Sequence, residues 1–214
     1  MFTGIIKSIG TIKEARPQGG DSRITFHAED MEWSSFAAGE SIAVNGVCLT
    51  VIKLHKNGFD ADVSIETMRV STFALLQKDS RVNIEPSLVI GERMGGHFVT
   101  GHIDCVGKIH ANKMQARSME LEVELPSEFT RFVAPKGSIC IDGVSLTVNS
   151  ITGSIFCVNV IPHTAKATII GDYKIGDKVN IELDIMARYT ERLLDRPNNG
   201  VISEEYLKVN GYEQ

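Results

Sequence analysis

A chain of 214 residues, 43% apolar and 23% charged, is an ordinary soluble composition with enough apolar material for two small cores. Its formal charge of −5, with no run of Lys and Arg, argues against a nucleic-acid partner. No apolar stretch nears the roughly 18 residues that cross a bilayer, so no membrane partner is expected, and the N-terminus lacks the features of a signal peptide.

The first residues, Thr3-Gly4-x-Ile6, lead into Gly10-x-Ile12. Gly19-Gly20-Asp21 is a turn, and Asp30 is a good N-cap for a short helix. Ile42 to Ile52 is rich in β-branched residues and is broken at Asn45-Gly46, a hairpin or bulge signal. Lys56-Asn57-Gly58 turns the chain into Phe59–Ile65, whose alternation predicts a half-buried strand. The four cysteines (Cys48, Cys105, Cys140 and Cys157) have no C-x-x-C spacing, which predicts reduced thiols in a cytoplasmic protein, with neither metal nor disulfides.

The same pattern then recurs 97 positions later without a gap. Thr100-Gly101-x-Ile103 and Gly107-x-Ile109 repeat the start. Ser138–Val148 matches Ser41–Val51 at seven of eleven positions, Thr164 matches Thr67, and Val179-Asn-Ile-Glu182 repeats Val82-Asn-Ile-Glu85. The chain therefore divides into a barrel-like domain over 1–86, a linker over 87–97 and a second copy over 98–184. A second short helix is expected from Ser127. Many short strands with turns predict an all-β barrel or sandwich, used twice. Beyond it, Met186, Tyr189 and Leu193 fall on one face of an amphipathic helix over 185–196, too short to stand alone in water. Residues 197–214 are expected to be loosely ordered.

Residues two apart on a strand share a face, so Cys48 and Thr50 point together, as do Ser145 and Thr147. Ser41 and Ser138 also correspond. Gly95-Gly96-His97-Phe98-Val99-Thr100-Gly101-His102 combines close-approach glycines with two candidate proton carriers, at a spacing that disfavours a metal pair. Two of the positions where the copies diverge are candidate site positions: Cys48 against Ser145, and Ile5 against His102. That asymmetry suggests two similar sites with unequal chemistry.

Met1-Phe-Thr-Gly-Ile5, Ser41–Thr50, Gly95–His102 and Lys136–Thr147 together closely resemble the riboflavin synthase family, and the resemblance runs from residue 1 to about 194. It implies two six-stranded Greek-key barrels and a C-terminal helix that joins three chains. It also implies dismutation of two 6,7-dimethyl-8-ribityllumazine molecules per site, with no cofactor or metal. A four-carbon unit passes between them, giving riboflavin and 5-amino-6-ribitylaminouracil. Catalytic roles are implied for Cys48, His102 and Ser145. Cys48 and His102, with Ser41 and Thr50 beside them, would form the N-terminal site, near Thr3 and Gly4. Lys136, Asp142, Ser145, Thr147 and Asp184 would line the C-terminal one. Asp62, Glu66, Thr67, Gly101, Ile103, Ile161 and Thr164 are further substrate contacts that it implies. Association with a lumazine synthase is left open. The rival is a non-catalytic lumazine-binding antenna protein, a class that typically lacks the Cys-Leu-Thr and Gly-His pattern present here.

Overall fold

The computed structural model describes residues 1–194 and 204–211. Six strands close the first barrel: β1 (Ser8–Gln18), β2 (Asp21–His27), β3 (Ser41–Val44), β4 (Val47–His55), β5 (Gly58–Val63) and β6 (Arg81–Pro86). Their spatial order is β1-β2-β5-β4-β3-β6, a Greek-key ring. The second barrel repeats it with β7 (Cys105–Gln115), β8 (Ser118–Glu124), β9 (Ser138–Ile141), β10 (Val144–Thr152), β11 (Ile155–Val160) and β12 (Lys178–Leu183). Closure leaves neither sheet with a free edge.

The repeat extends to the irregularities. Asn45-Gly46 and Asp142-Gly143 both take positive φ (44° and 77°, 42° and 83°), as a tight two-residue hairpin requires. Bulges recur between Val51 and Lys53 and between Val148 and Ser150, where each barrel must bend. Alternation puts Ile42, Val44, Leu49 and Val51 in the first core, and Ile139, Ile141, Leu146 and Val148 in the second. A short helix follows the fifth strand of each barrel: α1 (Ile65–Val70), capped by Ser64, and α2 (Pro162–Ala167).

Two expected helices are shorter and tighter. Near Asp30 there is only a 3-10 turn, Trp33–Ser35, because Trp33 is buried and its indole donates to the Ala28 carbonyl, which pins the chain before a helix can extend. The segment from Ser127 is a 3-10 helix, Ser127–Phe132.

The barrels meet about an internal pseudo-twofold axis. Phe2 and Val99 pair as a two-residue antiparallel bridge and pack with Ala43 and Cys140. The Asn45-Gly46 and Asp142-Gly143 turns touch back to back: a Cβ on Gly46 would lie 2.7 Å from the Gly143 nitrogen. Asn83 donates to the Asp142 carbonyl while Asn180 donates to the Asn45 carbonyl. Their side-chain oxygens accept from Ile169 and Thr72 respectively. The leading segments are exchanged. Ile6, before the first barrel, packs on the second core, and Ile103, before the second barrel, packs on the first.

Helix α3 (Ile185–Leu194) follows β12. Arg188 pairs with Asp104, whose carboxyl is buried, and Glu191 pairs with Arg131. Met186, Tyr189, Leu193 and Leu194 stay exposed. The expected end of this helix at 196 lies outside the described residues, as do 197–203 and 212–214 of the tail. The described part of that tail carries helix α4 over Glu204–Val209.

Candidate functional site

Cys48 sits on β4 with its side chain on the outer face, half-buried, opposite Ala43 on β3. Ser41 pairs with Thr50 on the same face, which places the expected polar row. In the second barrel Ser145 faces Cys140 and Thr147 faces Ser138. Each of these positions is backed by the other half's leading segment. The Cys48 N–H donates to the Gly101 carbonyl (2.9 Å), and the Ser145 N–H donates to the Gly4 carbonyl (2.8 Å). The fit is close enough to require glycine. A Cβ on Gly101 would stand 2.5 Å from that of Cys48, and one on Gly4 would stand 2.5 Å from that of Ser145. Both glycines have φ near +80°.

His97 completes the Ser145 position. Its Nδ1 lies 2.6 Å from the Ser145 hydroxyl, and Nε2 is buried with no protein partner among the described residues. Burial holds this imidazole below its ordinary pKa, against the pull of Asp184, so the ring is neutral near pH 7. A neutral imidazole beside a hydroxyl can accept its proton. The sequence pointed to His97 through its glycines. A Cβ on Gly96 would meet the Thr3 carbonyl at 2.1 Å and the Ser145 hydroxyl at 2.9 Å. What it did not reveal is the partner, 48 residues away.

His102 is exposed, and lines a cavity of about 290 Å³ with Thr100, Asp104, Glu182, Arg188 and Tyr189, next to α3. Cys48 is not in that lining, although its N–H reaches Gly101, the residue before His102. The Thr3 hydroxyl is spent on Glu85 (2.6 Å). Ile103 is part of the first barrel's packing.

Asp62 forms a two-pronged pair with Arg23 (2.8 and 2.9 Å), and Glu66 pairs with Arg69; each guanidinium holds its carboxylate partner below the ordinary range. Thr67 closes the N-terminal turn of α1 through Ser64. Lys136 and Thr147 are exposed, and so is Ile161; Thr164 is half-buried, its carbonyl accepting from the Thr168 hydroxyl. Asp184 accepts from the Met186 N–H at the start of α3.

Asp142, expected among the residues of the second site, is buried in the interbarrel junction, 3% exposed, and lines a cavity of about 250 Å³ there with Asn45, Arg81 and Lys178. Its carboxyl accepts from the Asn180 N–H and the Tyr173 hydroxyl. Burial pushes its pKa up to about 7. The reason is positional: Asp142 heads the turn that abuts Asn45-Gly46, so the duplication's axis passes beside it.

Comparisons with known proteins agree with this arrangement. The lumazine binding domain model matches residues 3–87 and again 100–184, the same offset of 97. The riboflavin synthase of Photobacterium phosphoreum is 40% identical over 216 aligned positions, covering 99% of each chain. That of Bacillus subtilis is 37% identical, covering 99% of this chain and 100% of that one. Two solved structures, LumP complexed with riboflavin and with 6,7-dimethyl-8-(1'-D-ribityl) lumazine, superpose with TM-scores of 0.79 and 0.77. Each covers 86% of this chain and 99% of its own, at 24% and 23% identity, and so supports the fold.

Proposed function

The chain belongs to the riboflavin synthase family, transferases built from tandem lumazine-binding domains, and from that premise we propose how its two halves divide the reaction. The reaction consumes two molecules of 6,7-dimethyl-8-ribityllumazine. One gives up a four-carbon unit, C6 and C7 with their methyl groups, and leaves as 5-amino-6-ribitylaminouracil. The other receives it and becomes riboflavin.

Two identical substrates call for two similar pockets, and different fates call for pockets that are not identical. The observation that carries the division is the hydrogen bond between Ser145 and a buried, neutral His97, at a position where the first barrel has Cys48. In our reading the His97–Ser145 pair takes a proton from the acidic 7-methyl group of one lumazine. The Cys48 thiol, with Ser41 and Thr50, engages the other. Holding both molecules in contact makes the transfer effectively unimolecular, worth roughly 7–11 kcal/mol.

We further propose that α3 assembles three chains. Its exposed Met186, Tyr189 and Leu193 form an apolar stripe without cover in one chain, and pairing the first barrel of one subunit with the second of its neighbour would bring Cys48 and Ser145 positions face to face. A cytoplasmic location fits the four free thiols.

The test is incubation with 6,7-dimethyl-8-ribityllumazine alone, following the absorbance change to riboflavin. Binding without turnover would favour the antenna reading. Cys48→Ala should cut turnover far more than it weakens binding, and a wild-type rate would remove the thiol from the mechanism. Truncation after Asp184 should give monomers of little activity; a fully active monomer would refute the intersubunit site.

A further inference from the structure

Two buried carboxylates have no place in the chemistry above. Glu85 lies near the end of β6 in the first barrel, and Glu182 lies in β12 of the second; they are 2% and 3% exposed. Neither pairs with a cation among the described residues, yet each gathers three donors from one short segment. Glu182 accepts from the Thr100 N–H (2.5 Å), the Thr100 hydroxyl (2.7 Å) and the Gly101 N–H (2.8 Å). Glu85 accepts in the same way from Thr3 (2.7 and 2.6 Å) and the Gly4 N–H (3.0 Å).

The segments so held are the exchanged ones. The Gly101 carbonyl, on the peptide after the clamped one, accepts from the Cys48 N–H in the opposite barrel, and the Gly4 carbonyl accepts from Ser145. A continuous chain of hydrogen bonds therefore runs from Glu182 through Gly101 to Cys48. Its mirror runs from Glu85 through Gly4 to Ser145. Among the described residues the segments join no strand ladder beyond the Phe2–Val99 bridge, and the carboxylates add three hydrogen bonds each to the packing of Ile6 and Ile103 in holding them.

We infer that Glu182 and Glu85 are crossed positioning residues: each carboxylate, from its own barrel, sets the reactive position of the other barrel. The inference rests on the reading of Cys48 and Ser145 as reactive positions. Burial raises both carboxyl pKa values and the gathered N–H and O–H donors oppose that rise, so the clamp is strongest when the carboxylate is charged.

The test reads Cys48 directly. In a Cys157→Ser background, Cys48 is the accessible thiol, since Cys105 and Cys140 are buried. Glu182→Gln turns an amide NH2 toward one of the clamped N–H groups. It should raise the rate of Cys48 alkylation by iodoacetamide roughly tenfold, the factor expected from losing a charge-assisted hydrogen bond. Glu85→Gln should leave that rate within about twofold, although it breaks an equivalent clamp. Turnover of 6,7-dimethyl-8-ribityllumazine should fall in kcat with KM little changed for both. Should Glu182→Gln fail to fold, Thr100→Ala removes the hydroxyl bond alone and should act in the same direction, with Thr100→Ser restoring the parent rate. An unchanged Cys48 rate in Glu182→Gln or Thr100→Ala, or an equal rise in Glu85→Gln, overturns the crossed wiring. Alkylation needs no substrate, so its outcome is independent of whether the chain turns over lumazine.

Discussion

Asp142→Asn should make the protein more stable, and increasingly so as pH rises. Nature has placed the amide in the first barrel already: Asn45 holds the equivalent position, its side-chain oxygen accepting from the Asn83 N–H as Asp142 accepts from Asn180. The substitution keeps that bond and lets the new amide donate to the Tyr173 oxygen. No ion pair compensates the carboxyl among the described residues. Tyr173 and Cys140 are held neutral, their pKa values pushed up by burial, and of the cations Arg81 and Lys178, which line with Asp142 a cavity of about 250 Å³, neither bonds to it and Arg81 is taken by Asp172.

The size follows from the folded value of about 7 against 3.8 for an unperturbed side chain. Below pH 3.8 both states hold the proton and Asp142 costs nothing. Above it the unfolded chain ionises first, so the folded state loses ground until Asp142 itself ionises near pH 7. The loss is about 1.6 kcal/mol at pH 5 and about 4 kcal/mol at pH 8. Urea unfolding of parent and variant, at fixed protein concentration, should show the variant's advantage growing by about 2.5 kcal/mol over that interval. A constant difference at pH 5 and pH 8 would show that Asp142 does not titrate there, and the burial argument would fail.

Gly101→Ala should destabilise by about 2 kcal/mol or more, because the methyl meets Cys48 at 2.5 Å, whereas Gly19→Ala, also at positive φ but with open space around it, should cost about 1 kcal/mol. Equal losses in urea unfolding would mean that Cys48 yields freely. His97→Gln should lower kcat about a hundredfold. It should also remove the acid limb of the kcat/KM profile, which in the parent falls below pH 6.5 because burial depresses the imidazole. An unchanged limb would assign it to another group. Arg188→Met strands the buried Asp104 carboxyl and should cost about 2 kcal/mol at pH 7, and less at pH 4 where that acid can take a proton. A loss independent of pH would mean that Arg188 acts by packing.

The duplication was legible because its register never slips, and with it the short strands, the chain reversal at Asn45-Gly46 and its repeat at Asp142-Gly143, and the shared face of Cys48 and Thr50. Each rests on local rules, period-two alternation and turn chemistry, which left barrel or sandwich open until the family resemblance chose the barrel. The exchange of the leading segments was not legible. Ile6 and Ile103 are apolar residues before a strand, and nothing near them says which of two similar cores they enter. The His97–Ser145 pair and the Asp142–Tyr173 pair were hidden for the same reason, since both depend on tertiary approach over 48 and 31 residues. The resemblance put Asp142 among the residues of the second site, and nothing in the local sequence shows that its turn abuts Asn45-Gly46.

Two groups of the differences between the copies are coherent. At the junction Asn45 and Leu76 correspond to Asp142 and Tyr173 across the axis, and the differences are matched, because the phenol hydroxyl that replaces a leucine is the donor for the acid that replaces an amide. In the sites Cys48 and Ile5 correspond to Ser145 and His102, and His97 belongs to the Ser145 position alone. The clamps are unchanged: Glu85 and Glu182, Thr3 and Thr100, Gly4 and Gly101 are identical. What holds the segments behind Cys48 and Ser145 has been kept in both halves, while the residues at those two positions have diverged. That is the pattern expected where two copies of one substrate must be held alike and treated differently.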